Sequence, residues 1–341
     1  MTFIDYIDTE RQFLNKKITN GLKGIAILLV LLGHLGLINH SGAYGVAIFL
    51  FLSGFGLTQS YLKSSTKDFI SKRLDKVILP YFLITLLWFC IDRLALNKAY
   101  PKVTILKTLF GIQPQSPLDP SMWYITYLLI WYLAFYFIFS LPQNNFSKFI
   151  LLSIITYFIY VHSNIFSGDS GAGLYYIEFP LGVLIGLLYK RIKKINIVLL
   201  YSVISIVSVI SIVLFSKYVV KVNLSMNYYT LAAFMAAVAI VSLFSILALI
   251  KSKLVSILLY ILEVIGNISY EIYLLEFMIL MRYFKFFKLI NNEWLRFIAF
   301  TLVVSFLAFV LKKVVKIIRN YIFLFYNKLI IVKSKLNLIF E

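Results

Sequence analysis

The sequence predicts an all-α membrane protein with about ten transmembrane helices. Apolar residues make up 61% of its 341 residues and charged residues 14%, and the mean hydropathy is +0.91. A typical soluble domain has roughly 45 to 50% apolar and about 25% charged residues. The apolar residues also form runs long enough to cross a hydrocarbon layer of ~30 Å, with basic clusters between them. This composition excludes an ordinary soluble enzyme.

The apolar runs define the predicted spans in chain order. A span needs about 17 to 25 residues. The candidate spans lie near residues 21–38, 44–62, 77–96, 122–141, 148–163, 174–189, 196–216, 228–250, 267–285 and 294–312. The stretch 253–265 is too short to cross the membrane and is predicted to lie at its interface.

The basic residues predict the orientation of the chain. With the N-terminus inside, 23 of the 33 lysines and arginines fall in cytoplasmic segments, which favours a multi-pass protein of the cell membrane with both termini in the cytoplasm. The net charge of +19 is therefore attributed to topology and not to nucleic-acid binding. The single cysteine, Cys90, excludes an intrachain disulfide and a cysteine metal site.

Three regions follow from this topology. Residues 1–20 form a cytoplasmic N-terminal segment without the apolar core of a cleavable signal peptide, and residues 21–312 form one membrane domain. Residues 313–341 form a basic, amphipathic tail, predicted to lie on anionic lipid, with an eleventh span as the alternative. The long segment 93–121 is expected to cap an outward-facing opening.

Lys23 and His34 are the most informative polar residues of the first span. Eleven positions separate them, which is about three helical turns, so both lie on one helix face roughly 16 Å apart along the axis. The pKa of a histidine side chain is ordinarily about 6.5, so histidine can act as a general base at neutral pH. The alternative is a histidine satisfied by a backbone carbonyl. The other two histidines, His40 and His162, are predicted to lie in outside loops.

Two further stretches admit both a structural and a functional interpretation. The small residues around Ser53 favour close helix packing or a ligand pocket. Lys72, Arg73 and Lys76 precede Pro80, where the next span starts or bends. Because Arg73 and Lys76 are three positions apart, they are predicted to share a helix face. They suit an anchor in lipid headgroups or a grip on an anionic ligand.

Acidic and aromatic residues complete the candidate set. Glu271 and Glu276 are about 140° apart on an apolar helix, so at least one of them is expected to point into a cavity. Glu178 opens another span and suits either a cavity or the headgroup layer. Trp123 and Tyr124 fit an interfacial aromatic belt.

The order of these features resembles the acyltransferase 3 family of integral-membrane acyltransferases. Lys23 precedes His34 by ten intervening residues, as a basic residue precedes the histidine in that family. The other matching features are FLFLSGF at 49–55, Arg73 and Lys76 before Pro80, the Trp-Tyr-Ile step at 123–125, the FPLGVLIG run at 179–186 and GNISYEIYLLE at 266–276. The chain departs from the family at Lys76, which replaces an arginine, and at Glu276, which stands where the family commonly has a histidine.

The resemblance implies a ten-helix O-acyltransferase, most often an O-acetyltransferase, of surface polysaccharides. Cytoplasmic acyl-CoA, in most cases acetyl-CoA, would be the donor substrate, and no bound cofactor or metal is expected. Lys72, Arg73 and Lys76 would hold its phosphates, and His34 would act as general base or carry the acyl group. Lys23 would stabilise negative charge, and Glu178 or Glu271 would orient the imidazole. The remaining predicted substrate contacts are Ser53, Trp123, Tyr124, Tyr270 and Tyr273.

The expected partners are acyl-CoA, a polysaccharide or lipid-linked sugar acceptor and the lipid bilayer. The alternative is a flippase or transporter of such sugars without acyl transfer, because intramembrane charges and aromatics serve transporters as well. A transporter often contains an internal repeat, and the ten predicted spans show no obvious one.

Overall fold

The computed structural model describes residues 14–113, 116–162, 175–192, 197–219, 226–250 and 252–340. Within these ranges the chain is helical and contains no β-strand, which confirms the all-α prediction. The helices are α1 (Lys16–His34), α2 (Ser41–Ser64), α3 (Phe69–Ala95), α4 (Lys102–Leu109), α5 (Trp123–Ser140), α6 (Asn145–Val161), α7 (Glu178–Ile192), α8 (Ile197–Val219), α9 (Met226–Leu247), α10 (Lys253–Asn267), α11 (Ser269–Phe287) and α12 (Glu293–Phe340).

Five helices in the described part of the chain are long and apolar enough to cross a membrane. They are α1, α2, α3, the segment Pro120–Ser140 and the first part of α12, Glu293–Ile322. The pair α10 and α11, bent by 70°, makes a sixth if it is one broken span. The chain is therefore a membrane protein with five or six such helices, and the count of about ten remains a prediction that depends on α6 to α9.

Helix α1 begins within the predicted N-terminal segment. The side chain of Asn15 accepts a hydrogen bond from the backbone N–H of Ile18 (2.8 Å), which satisfies one of the donors left open at a helix start. Residues 1–13 of the predicted cytoplasmic segment lie outside the described residues.

Helix α10 packs against α1 at backbone contact distance. A Cβ atom on Gly266 would lie 1.8 Å from the carbonyl oxygen of Asn20, and one on Gly24 would lie 2.1 Å from that of Leu262. Only glycine allows this approach. A polar contact lies at the same crossing, where the Asn20 side-chain amide donates to the Asn267 side chain (2.9 Å). The stretch predicted to lie at the interface is thus fixed to the first span.

A buried ion pair joins α3 to α11. Arg282 donates from Nε to Oδ1 of Asp92 (2.7 Å) and from Nη2 to Oδ2 (2.6 Å), and the two side chains are 7% and 0% exposed. The Tyr100 hydroxyl also donates to Asp92 Oδ2 (2.6 Å). Removing one partner of such a pair typically costs about 3 to 5 kcal/mol, because the other charge stays buried. This contact sets the position of α11, the helix that carries Glu276.

The predicted tail continues the last span without a break. Helix α12 has 48 residues, and at 1.5 Å per residue it is roughly 72 Å long. That is more than twice the hydrocarbon thickness of ~30 Å. The tail therefore starts as a direct extension of the span, and the predicted contact with anionic lipid remains a prediction.

Candidate active site

A large cavity lies where α1, α2, α3, α5, α11 and α12 meet. Its volume is about 460 Å³. Five basic side chains line it against two acidic ones, so its lining is positively charged. The charged members are Lys23, Lys76, Lys312, Lys316, Arg319, Asp75 and Glu271. We call it the basic cavity.

A π-helical turn positions Lys76 in the basic cavity. Residues Leu74–Ile78 form this turn inside α3, and the Tyr270 hydroxyl on α11 donates to the carbonyl of Val77 (2.8 Å). Such turns are rare and occur mostly at functional sites. Lys76 and Tyr270 both line the cavity, as do the predicted residues Lys23 and Ser53.

Arg73 packs against aromatic rings. It ends the α-helical part of α3, and the π-helical turn that follows changes the angular spacing to Lys76. That both residues hold one ligand stays a prediction. The Arg73 guanidinium lies 5.6 Å from the ring centroid of Phe69 and 5.4 Å from that of Tyr132, within cation–π range. Tyr132 lines the basic cavity, whereas Arg73 is not among the described residues that line it.

Lys72 is not among the described residues that line either cavity. It is half-buried in the short α-helical segment before the π-helical turn. A role for Lys72 in holding a ligand thus stays a prediction.

His34 contacts a buried carboxylate. Its Nδ1 lies 2.7 Å from Oε1 of Glu276 on α11, and the Glu276 side chain is 0% exposed against 29% for His34. A carboxylate only accepts hydrogen bonds, so an ionised Glu276 places the imidazole proton on Nδ1 and leaves Nε2 with its lone pair. The Phe277 ring packs edge-on against the imidazole at 5.0 Å. This geometry is that of a histidine base oriented by an acid.

Neither acid that the sequence offered for this role contacts His34. Glu271 lies one and a half turns before Glu276 on α11 and lines the basic cavity instead. Glu178 is buried at the start of α7, and its carboxylate oxygens have no hydrogen-bond partner among the described residues. The acid that contacts His34 is Glu276, which stands where the resembling family commonly has a histidine.

His34 opens into a second cavity of about 280 Å³, which we call the histidine cavity. Trp123, Tyr175 and Ser121 line it, and so does His40, which the sequence predicted only as a loop residue. The Trp123 and Tyr175 rings are stacked, with centroids 5.8 Å apart and an interplanar angle of 18°. This stacked aromatic pair lines the cavity next to the candidate base.

The two cavities share a wall. Four residues line both of them: Val30, Val46, Tyr124 and Tyr273. The Tyr124 and Tyr273 rings meet edge to face with centroids 5.4 Å apart. Lys23 and His34, which share one face of α1, therefore line two adjacent cavities, with these two tyrosines between them.

The segment 93–121, predicted to cap an opening, reaches the histidine cavity at its last residue, Ser121. The Tyr273 hydroxyl donates to the carbonyl of Ser121. Asp119 Oδ1 accepts from the backbone N–H (2.9 Å) and the hydroxyl (2.7 Å) of Ser121. Burial raises the pKa of the Asp119 carboxyl to about 6, the Ser121 hydrogen bonds oppose the shift, and Glu276 adds to it. The sequence pattern around Asp119 did not indicate a role in the site, because an Asp-Pro pair in a loop is typical of a turn.

The small residues around Ser53 were predicted to serve either close helix packing or a ligand pocket, and Ser53 and Gly54 differ in this respect. Ser53 lines the basic cavity. A Cβ atom on Gly54 would lie 2.2 Å from the carbonyl oxygen of Phe179 on α7, so Gly54 serves close helix packing. Gly54 thus fits the structural interpretation, and ligand binding at Ser53 stays a prediction.

A helical membrane bundle that pairs a histidine with a buried carboxylate in one cavity, beside a second and basic cavity, fits the class of membrane enzymes for group transfer. Residues 17–313 match the acyltransferase domain of the acyltransferase 3 family, and the chain belongs to this family. It is therefore a membrane acyltransferase. No curated protein and no solved structure matches the chain.

Proposed function

We propose that the protein is an O-acyltransferase of the cell membrane that moves an acyl group, most simply acetyl, from cytoplasmic acyl-CoA to a sugar hydroxyl. The acceptor is an extracytoplasmic or lipid-linked sugar of a surface polysaccharide. The observation that carries the proposal is the His34–Glu276 pair, placed in a cavity that shares a wall with a basic cavity. The family supports acyl transfer in general.

The donor occupies the basic cavity in this proposal. Acyl-CoA carries phosphates at one end and a thioester at the other, and the five basic side chains of the cavity suit the phosphates. Both termini and this cavity lie on the cytoplasmic side, as the distribution of basic residues favours. The thioester arm then passes between Tyr124 and Tyr273 to reach His34, which is roughly 16 Å from Lys23 along α1.

The acceptor enters from the histidine cavity. Nε2 of His34 takes the proton of the sugar hydroxyl as its oxygen bonds to the thioester carbonyl carbon, and the C–S bond breaks. Glu276 stabilises the imidazolium that forms. The imidazolium then returns the proton to the departing thiolate, so that an ester and free CoA result. Trp123 and Tyr175 offer a flat apolar surface to the sugar ring.

Loss of the base is the direct test. A deletion strain carrying His34→Ala is expected to make its surface polysaccharide without the O-acyl groups that the wild-type gene restores. NMR of the purified polysaccharide measures this, and immunoblotting checks that the variant reaches the membrane. Wild-type acylation by a membrane-inserted His34→Ala protein would contradict the proposal. Loss of the polysaccharide itself from the surface, with its acylation intact, would favour a flippase.

A further inference from the structure

One face of α12 lines the basic cavity. Lys312, Lys316 and Arg319 stand at positions i, i+4 and i+7 of this helix, which places them on one side. Val315, the buried residue between them, lines the cavity as well. Lys316 and Arg319 lie beyond residue 313, where the match to the family's domain ends.

These two residues lie at the end of the cavity remote from His34. Helix α11 runs from the basic cavity at Ser269 to the level of His34 at Glu276, and α12 returns to the basic cavity at Lys312. The Lys312 ammonium donates to the carbonyl of Asn267 at the bend between α10 and α11. Lys316 and Arg319 lie about 6 and 10.5 Å further along the axis.

Arg319 contacts a carboxylate at the edge of the cavity. Its Nη1 lies 3.3 Å from Oδ2 of Asp75, and both side chains are 40% exposed. Asp75 belongs to the π-helical turn that also carries Lys76. An ion pair this exposed and this long is weak, so a better anion can replace the carboxylate.

We propose that Lys316 and Arg319 bind the phosphate of the donor that lies farthest from its thioester, the 3′-phosphate of the CoA ribose. Arginine offers two parallel donors to a phosphate and lysine a point charge. On binding, Arg319 exchanges the Asp75 carboxylate for the phosphate. This inference rests on the proposed function, because that function places the donor in the basic cavity. The predicted contact of the tail with lipid phosphates is the competing source of the same chemistry.

Binding of CoA and its truncated forms tests the assignment without an acceptor. The full-length protein in nanodiscs of zwitterionic lipid is titrated with CoA, 3′-dephospho-CoA and pantetheine by calorimetry. For the double variant Lys316→Gln, Arg319→Gln, we expect about 10- to 100-fold weaker binding of CoA. The affinity for 3′-dephospho-CoA is expected to change by less than about threefold, since the lost contacts serve the missing phosphate.

Lys313→Gln is the matched control. Lys313 is on the same helix, is exposed and places its ammonium 4.4 Å from the Phe309 ring centroid, and it is not among the described residues of the cavity. This substitution removes one positive charge, as Lys316→Gln does by itself, and it is compared with that single variant. An equal loss of CoA affinity in Lys313→Gln would show a general effect of charge and would overturn the proposal.

Asp75→Asn separates ligand binding from a structural ion pair. If Arg319 binds a phosphate of the ligand, removing the competing Asp75 carboxylate makes the Arg319 guanidinium available. Asp75→Asn then binds CoA more tightly than the wild-type protein, and Arg319→Gln binds CoA less tightly. If the pair only holds α12 against α3, both variants change in the same direction, which overturns the proposal.

The remaining outcomes separate this inference from the function it rests on. A wild-type protein that binds neither CoA nor its truncated forms contradicts the donor cavity itself, and thus the proposed function. A wild-type protein that binds CoA, with the double variant binding it equally well, contradicts only the role of Lys316 and Arg319. If that variant also loses affinity for anionic vesicles, the phosphates belong to lipid and the proposal is overturned.

Discussion

At the scale of the residue, the chemistry of His34 depends on a partner from the other end of the chain. Glu276 lies 242 positions away in sequence and 2.7 Å away in space. The sequence indicated His34 itself, because an ionisable group is rarely placed in an apolar span without a use. It could not choose its acid, since Glu178, Glu271 and Glu276 all stand in apolar helices. In the structure, Glu276 is the one of these three acids that lies within hydrogen-bond distance of His34.

Glu276→Gln is expected to lower kcat for acyl transfer by about 100-fold or more, while the KM for acyl-CoA stays within about threefold. The amide keeps the shape but cannot stabilise the imidazolium, and its NH₂ group favours the wrong tautomer of His34. Transfer of the acyl group by purified protein in nanodiscs measures both constants.

Glu271→Gln is the control for this prediction, since Glu271 is on the same helix but lines the basic cavity. Its effect is expected on the donor KM and not on kcat. A kcat loss in Glu271→Gln as large as that in Glu276→Gln would refute the assignment of the orienting acid.

At the scale of the element, two local deviations from a regular α-helix position the site. The π-helical turn Leu74–Ile78 separates Lys76 from Arg73, and the bend of 70° between α10 and α11 starts the helix that carries Tyr270, Tyr273 and Glu276. Hydropathy predicted the helices but neither deviation, because both depend on tertiary contacts. The bend is held by the glycine contact of α10 with α1 and by Lys312 on the Asn267 carbonyl.

Gly266→Ala is expected to destabilise the protein by about 1 to 3 kcal/mol or more, because the added methyl group overpacks α10 against α1. Its Cβ atom would lie 1.8 Å from the Asn20 carbonyl oxygen. Thermal unfolding in detergent, followed by circular dichroism, measures the loss.

Gly56→Ala is the matched substitution on α2, where a Cβ atom meets nothing within 4 Å. Alanine is the better helix former by about 1 kcal/mol, so this variant is expected to be as stable as wild type or more stable. If the Gly266→Ala protein unfolds at the same temperature as the Gly56→Ala protein, the close approach of α10 and α1 is not needed for stability.

At the scale of the whole molecule, the open question is how many helices cross the membrane. Five or six meet the criterion of length and hydropathy, and α6 to α9 decide whether the total reaches the predicted ten. The positive-inside rule gives each loop a side. Helix α6 gives the sharpest test of this topology, because Gln143 and His162 lie just outside its two ends.

Cysteine labelling in intact cells tests this topology. On a Cys90→Ser background, His162→Cys is expected to react with a membrane-impermeant maleimide from outside, and Gln143→Cys only after the cells are permeabilised. The physical reason is that α6 crosses the membrane with its N-terminus inside. Equal labelling of both positions in intact cells would show that α6 does not cross and that fewer than ten spans are present.

The sequence by itself determined the class of this protein, its all-α character and the main polar groups that line its cavities. Composition and apolar run length are local properties, and a bilayer converts them directly into helices. His34 followed from the same logic, since a polar group in an apolar helix needs a cavity, whereas the resemblance to the family added Tyr270 and Tyr273. Tertiary structure alone decided which acid contacts His34, that Arg73 packs against Phe69 and Tyr132, and that α12 turns a basic face toward the cavity. These depend on how helices distant in sequence pack and rotate against one another, and no local pattern specifies that.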